Sequence, residues 1–95
     1  MTFEKIGQIK INDRLWKYGY GDTKKTNGSY NDGLCVYETR TIIINRKSSR
    51  SLEDVLCHEI LHARFPDLSE EAVDNTGEII GRVINKFRES LARHG

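Results

Sequence analysis

The stretch Cys57-His58-Glu59-Ile60-Leu61-His62-Ala63 contains His-Glu-x-x-His, residue types at a spacing that can do chemistry. On a helix, positions i and i+4 share one face about one turn, ~6 Å, apart. Two imidazoles so placed can share one zinc ion at ~2 Å each. Glu59 is rotated by roughly a third of a turn from His58, which keeps it out of the coordination sphere. It can then stand beside a zinc-activated water as general base. The bland alternative is a surface helix with two histidines and a solvated glutamate.

The chemistry requires a helix, and the flanking residues predict one. Ser51-Leu52-Glu53-Asp54 reads as a capping box, a hydroxyl for an orphan N–H followed three residues on by a carboxylate. Val55, Leu56, Ile60 and Leu61 supply apolar residues at helical spacing. Pro66 should end the helix near Arg64-Phe65, because the residue before a proline avoids the helical region. Ser69 can cap a second, longer helix in which Ala72, Val73, Thr76, Ile80, Val83, Ile84, Phe87 and Leu91 keep an i, i+3/i+4 period. Its acidic first half (Glu70, Glu71, Asp74, Glu78) and basic second half (Arg82, Lys86, Arg88, Arg93) suit the helix dipole. Gly77 and Gly81, four apart, would let this helix approach the His58 helix closely.

A catalytic zinc usually takes three protein ligands and keeps one open position. The chain has three histidines, and His94 is next to last, so a carboxylate should complete the set. The extended pattern HExxHxxGxxH fails, since Phe65 and Leu68 occupy its Gly and final His places. Glu70 is the expected third ligand, with Asp74 four residues on as acceptor for a ligand histidine's N–H. Glu71 with Asn75 is the alternative register.

Ahead of these helices the sequence reads as strands. Residues 5–20 predict a β-hairpin: Ile9 and Ile11 alternate with polar neighbours, Asn12-Asp13 marks the turn, and Trp16, Tyr18 and Tyr20 recur at period two as a core face. Residues 21–33 are rich in Gly, Asn, Asp, Thr and Lys and predict a loop. Leu34–Tyr37 and Arg40–Asn45 are two further strands around a short turn, the second being the most β-prone run in the chain. Arg46, Lys47 and Arg50 then fall in a solvated linker, which leaves nucleic-acid binding the weakest of the functional readings. The fold expected over residues 1–95 is therefore a single α+β domain: a small, mostly antiparallel sheet of about four strands, then the HExxH helix, then a longer Glu-bearing helix.

Fifteen basic residues against fourteen acidic ones give no global argument for nucleic acid or membrane partners. No stretch approaches the ~20 apolar residues of a membrane span. The first residues, Met1-Thr2-Phe3-Glu4-Lys5, lack the apolar run of a signal peptide, so a soluble cytoplasmic protein is expected. Cys35 and Cys57 are too few for a disulfide framework and should be thiols; Cys57 is read as a buried small hydrophobe.

Together, His58-Glu59-Ile60-Leu61-His62-Ala63, Phe65-Pro66-Asp67-Leu68 and Ser69-Glu70-Glu71-Ala72-Val73-Asp74 resemble small zincin-like metallopeptidases encoded by phages and prophages. The order of an Ile-rich strand, HExxH helix and Glu-bearing helix also resembles a stripped-down gluzincin, the thermolysin-like group. The resemblance implies a minimal zincin-like domain, with His58, His62 and the downstream glutamate as zinc ligands and Glu59 as base. Glu70 followed four residues later by Asp74 fits the gluzincin pattern. The match covers about residues 40–84, and the chain lacks room for the second lobe that walls the cleft in large gluzincins.

The function expected is a zinc-dependent metallopeptidase in which Glu59 serves as general base. Its substrate would be an extended peptide or protein segment lying along an exposed sheet edge at Arg40–Asn45. The alternative is a zinc-stabilised, catalytically inactive protein-interaction module of phage or prophage origin, since a domain this small benefits from a metal staple. Tyr18, Tyr20, Tyr30, Tyr37 and several arginines compete as the oxyanion-stabilising group, and spacing singles out none.

Overall fold

A computed structural model describes residues 3–94. The chain forms β1 (Glu4–Ile11), β2 (Arg14–Tyr20), β3 (Gly33–Val36), β4 (Thr41–Ile44), α1 (Leu52–Arg64) and α2 (Glu70–His94) in that order. This is an α+β layout, a four-stranded sheet followed by two helices. β1 and β2 make an antiparallel hairpin, whose turn residues Asn12 and Asp13 sit at φ 52° and 64°. Such paired positive angles match the strand twist, and Asn and Asp tolerate them best after Gly. β3 and β4 pair antiparallel, while β4 also lies parallel to β2, so the sheet order is β1-β2-β4-β3.

That order corrects the expectation of a substrate edge at Arg40–Asn45. β4 is paired on both sides, and β3 is the exposed edge beside the helices. The physical reason is composition: Thr41, Ile42 and Ile44 are all buried, and a run apolar on both faces belongs inside a sheet. β3, equally short but with Gly33 and only half-buried residues, can tolerate the edge.

Ile42 and Ile44 lie opposite Tyr18 and Tyr20 in the parallel register, and Cys35 lies opposite Ile42 in the antiparallel one. These residues share the face on which α1 packs. Ile11, Trp16, Ile42, Ile44, Val55 and Ala63 form the buried core, with Tyr18, Tyr20, Cys35 and Leu56 against it.

Both ends of α1 are tied down. The Asp54 N–H donates to the Ser51 hydroxyl at 3.1 Å, as the capping residues predict. At the C-terminal end, four carbonyls need donors from outside the helix ladder. Phe65 N–H serves Leu61 at 2.8 Å, the Tyr37 hydroxyl serves His62 at 2.8 Å, and the Asn12 amide serves Arg64 at 3.0 Å and reaches Ala63 at 3.5 Å. The hairpin turn and the β3–β4 turn therefore clamp the end of the helix that carries His62.

α2 folds back along α1, with its Arg88 pairing to Glu53 at 3.2 Å. Gly77 and Gly81 are both buried in α2, facing α1. They differ in the room they leave. A Cβ on Gly77 would meet His58 N at 3.6 Å, Asp54 O at 3.7 Å and Cys57 Cβ at 3.8 Å, all ordinary contacts. A Cβ on Gly81 would run into the Asp54 carboxylate. Gly77→Ala should therefore stabilise the fold by about 0.5–1 kcal/mol through helix propensity, whereas Gly81→Ala should lack this gain. Urea unfolding checks the pair; a lower midpoint for Gly77→Ala would mean that the helices pack closer than these contacts. Cys57 is half-buried beside Gly77 rather than fully enclosed.

With 25 residues against 13, α2 outruns its partner by ~18 Å. The apolar period that buries Val73 thus ends in exposed Val83, Phe87 and Leu91, the last two near 70 % accessible (68 % and 69 %). Among the described residues no helix is long and apolar enough to cross a membrane.

Candidate metal centre

The helical spacing of His58 and His62 stacks their rings edge to face, centroids 4.7 Å apart. Their Nε2 atoms lie 3.1 Å from each other. The short loop after Pro66 brings α2 in beside them, and Ser69 caps it by accepting from Ala72 N–H at 3.1 Å. This places Glu70, the first residue of α2, across from both rings. Its Oε1 is 3.0 Å from His58 Nε2 and its Oε2 is 3.1 Å from His62 Nε2. The His58, His62 and Glu70 donor atoms all fall within 4.8 Å of one another.

The second nitrogen of His58 explains how its ring is oriented. Nδ1 faces Asp74 Oδ1 at 3.0 Å, one helical turn beyond Glu70. A proton on Nδ1 satisfies that contact and leaves Nε2 as a lone pair. Lone pairs and a carboxylate then converge on one small region, and a shared proton or a metal cation satisfies such a set. Three ligands at ~2.0–2.1 Å on a tetrahedral zinc stand about 3.3 Å apart. Each ring nitrogen faces a different Glu70 oxygen, and with one donor atom taken from each residue all three lie within 4.8 Å of one another, so the group could hold a metal ion such as zinc. Glu71, the other candidate, is exposed and stands outside this group. The register is decided by where the loop ends: Glu70 and Asp74 share the face turned to α1.

Glu59 is buried, at 6 % accessible, beside the histidines and beneath β3. It fits there because residue 33 is glycine. A Cβ at that position would meet Val55 Cγ1 at 2.8 Å and Glu59 Cγ at 3.0 Å. Burial, reinforced by the neighbouring Glu70 carboxylate, pushes the Glu59 carboxyl up to about 7. A cleft of about 220 Å³ opens here, lined by His58, Glu59, Glu70 and Asp74 from the helices and by Asn31, Asp32 and Gly33 from the strand side, with Arg50 also at its wall. Glu59 and two of the three candidate ligands thus share one solvent-open wall.

Comparison with protein-family models, curated proteins and solved structures returns no match.

The tyrosines separate clearly. Tyr18 and Tyr20 line an apolar groove with Ile6, Ile9 and Leu56. Tyr20 also lines, together with Tyr30, a second cleft of about 620 Å³, where Arg46 is paired with Glu4 and stacked 4.0 Å over Tyr20. Tyr37 alone of the four bonds to a candidate ligand residue, through the His62 carbonyl. Its phenol is pushed up by partial burial and then by neighbouring Cys35. Burial likewise pushes the Cys35 thiol up to about 11, against a Tyr37 hydrogen bond that lowers it, so it stays protonated at neutral pH. Gly33, Asn12 and Arg50 escaped the sequence reading as contributors to this site. Gly33 and Asn12 act across more than twenty residues of chain, where no local pattern signals them. Arg50 did carry a signal, since it immediately precedes the cap Ser51 of the site helix.

Proposed function

We propose that the chain is a zinc-dependent peptidase. The observation that carries this reading is the convergence of His58 Nε2, His62 Nε2 and Glu70 within 3.0–3.1 Å, beside a buried carboxylate that opens on a cleft. Zinc, when bound, polarises a peptide carbonyl and acidifies water as a Lewis acid. His58, His62 and Glu70 would hold it, and Asp74 would keep His58 in the tautomer that ligates. Glu59 takes the proton of the attacking water and delivers it to the leaving amine. Its buried setting, with Gly33 above it, holds the carboxylate in one place for both transfers. Gly33 of the edge strand β3 stands against Glu59, so an extended substrate adding to that edge would bring a peptide bond near the base. An unfolded, dye-labelled protein incubated with the zinc-loaded chain tests this. Cleavage should stop with a chelator and return when zinc is restored, and no cleavage by chain carrying one zinc would defeat the reading.

One observation favours a second reading, a zinc-stabilised protein-interaction module without activity. Val83, Phe87 and Leu91 leave an apolar stripe on α2 that no part of the described fold covers. In that case zinc would be bound and cleavage absent.

A further inference from the structure

We propose that Arg50 is a specificity-determining residue that binds a carboxylate on the substrate, one or two residues from the bond to be cut. The inference rests on the peptidase reading above and names the substrate class for the same cleft. Among the described residues, Arg50 is the only arginine or lysine lining that cleft. Of the four carboxylates lining the cleft, Glu59 is buried and the other three are already engaged. Glu70 faces the two histidines, Asp74 holds His58 Nδ1, and Asp32 accepts from the Ser48 hydroxyl at 2.6 Å. Among the described residues the Arg50 guanidinium reaches only Asp54, at 3.7 Å, longer than a hydrogen bond, and its side chain is 45 % accessible. It therefore keeps its planar fork of donors for an incoming group, and that fork matches a carboxylate two bonds at a time.

Its place just before the helix sets the distance. From the extended cap Ser51, α1 rises about 10 Å to His58 at ~1.5 Å per residue, and one extended step of ~3.3 Å puts the Arg50 backbone at most about 14 Å from the His58 backbone. A guanidinium reaching back ~6 Å into the cleft leaves at most about 8 Å to the reacting carbonyl. At ~3.3 Å per residue of extended chain this is one or two residues. Arg50 is thus too far to touch the carbonyl being cleaved and close enough to read its neighbour. The carboxylate can be a free C-terminus or an Asp or Glu side chain, since the fork binds both alike.

Peptide hydroxamates, which chelate zinc and are not cleaved, separate these sources. Three probes of one length are titrated calorimetrically into the zinc-loaded chain: amidated and neutral, neutral with a free C-terminus, and amidated with one aspartate next to the hydroxamate. The aspartate probe is made with the hydroxamate at either end. At least one carboxylate probe should bind about ten- to hundred-fold more tightly than the neutral one, the range for a charge-assisted bidentate contact. Whether the free terminus or the aspartate gains identifies the source. Arg50→Gln should erase that preference while leaving the neutral probe unchanged, and Arg50→Glu should reverse it. A merely structural role would weaken every probe equally. Equal binding of all probes by the native chain overturns the assignment of Arg50 and leaves the peptidase reading intact. Zinc bound at one per chain with no hydroxamate binding at all overturns the open coordination site and this assignment with it.

Discussion

Glu59→Gln is expected to retain zinc at the native level and to cleave peptide about 10²–10⁴-fold more slowly. The substitution keeps the size and shape of a side chain wedged between α1 and Gly33, so the cleft should keep its form. What it removes is the buried carboxylate of the site, which neither faces both histidines nor orients one of them. An amide cannot take up the proton of an attacking water. Removing a carboxyl that burial and Glu70 already push up should also leave the fold at least as stable as before, a trade of stability for activity. Metal content, initial rate and thermal midpoint measured on one preparation check all three. Cleavage at the native rate would remove Glu59 from the mechanism.

The second large effect concerns the metal itself. Elemental analysis should find about one zinc per chain, lost in His58→Ala, His62→Ala and Glu70→Ala and kept in Glu71→Ala. Asp74→Ala should keep zinc but bind it 10–100-fold more weakly, because it acts on the orientation and tautomer of His58 rather than on the ion. The site joins the end of α1 to the start of α2, so zinc should stabilise the fold as well. At free zinc a hundred-fold above its dissociation constant the gain is about 2.7 kcal/mol. A domain of this size should then lose roughly 10–20 °C of thermal midpoint on chelation. Zinc retained by Glu70→Ala and lost by Glu71→Ala would require α2 to begin in a different register. No zinc in the native chain, even when it is supplied, would leave His58 and His62 as an ordinary helix face.

Much of this architecture is legible in local residue patterns. The Ser51 and Ser69 caps, the stop before Pro66 and the Asn12-Asp13 turn all follow from short-range hydrogen bonding and backbone preference, and each operates where expected. The pairing of His58 with His62 is likewise a consequence of helical pitch. Strand order was not legible. β4 reads as the strongest strand, yet strength of propensity does not say which side of a strand is covered. Its burial between β2 and β3 moves the open edge to β3, the strand that lies over Glu59. The apolar period of α2 was equally ambiguous, since a repeat spaced for burial does not reveal where its partner helix ends. Val73 found a partner and Phe87 did not.

The helices, the turn and the pairing of the histidines depend on contacts within a few residues of chain, so local residue types are enough to set them. Tertiary structure alone decided that Glu70 rather than Glu71 faces the rings, that Asp74 holds one of them, and that Gly33 makes room for Glu59. Those choices depend on how α2 docks on α1 and how β3 crosses above it. A shift of one residue in either would turn a different side chain inward, and only the packed chain sets that register.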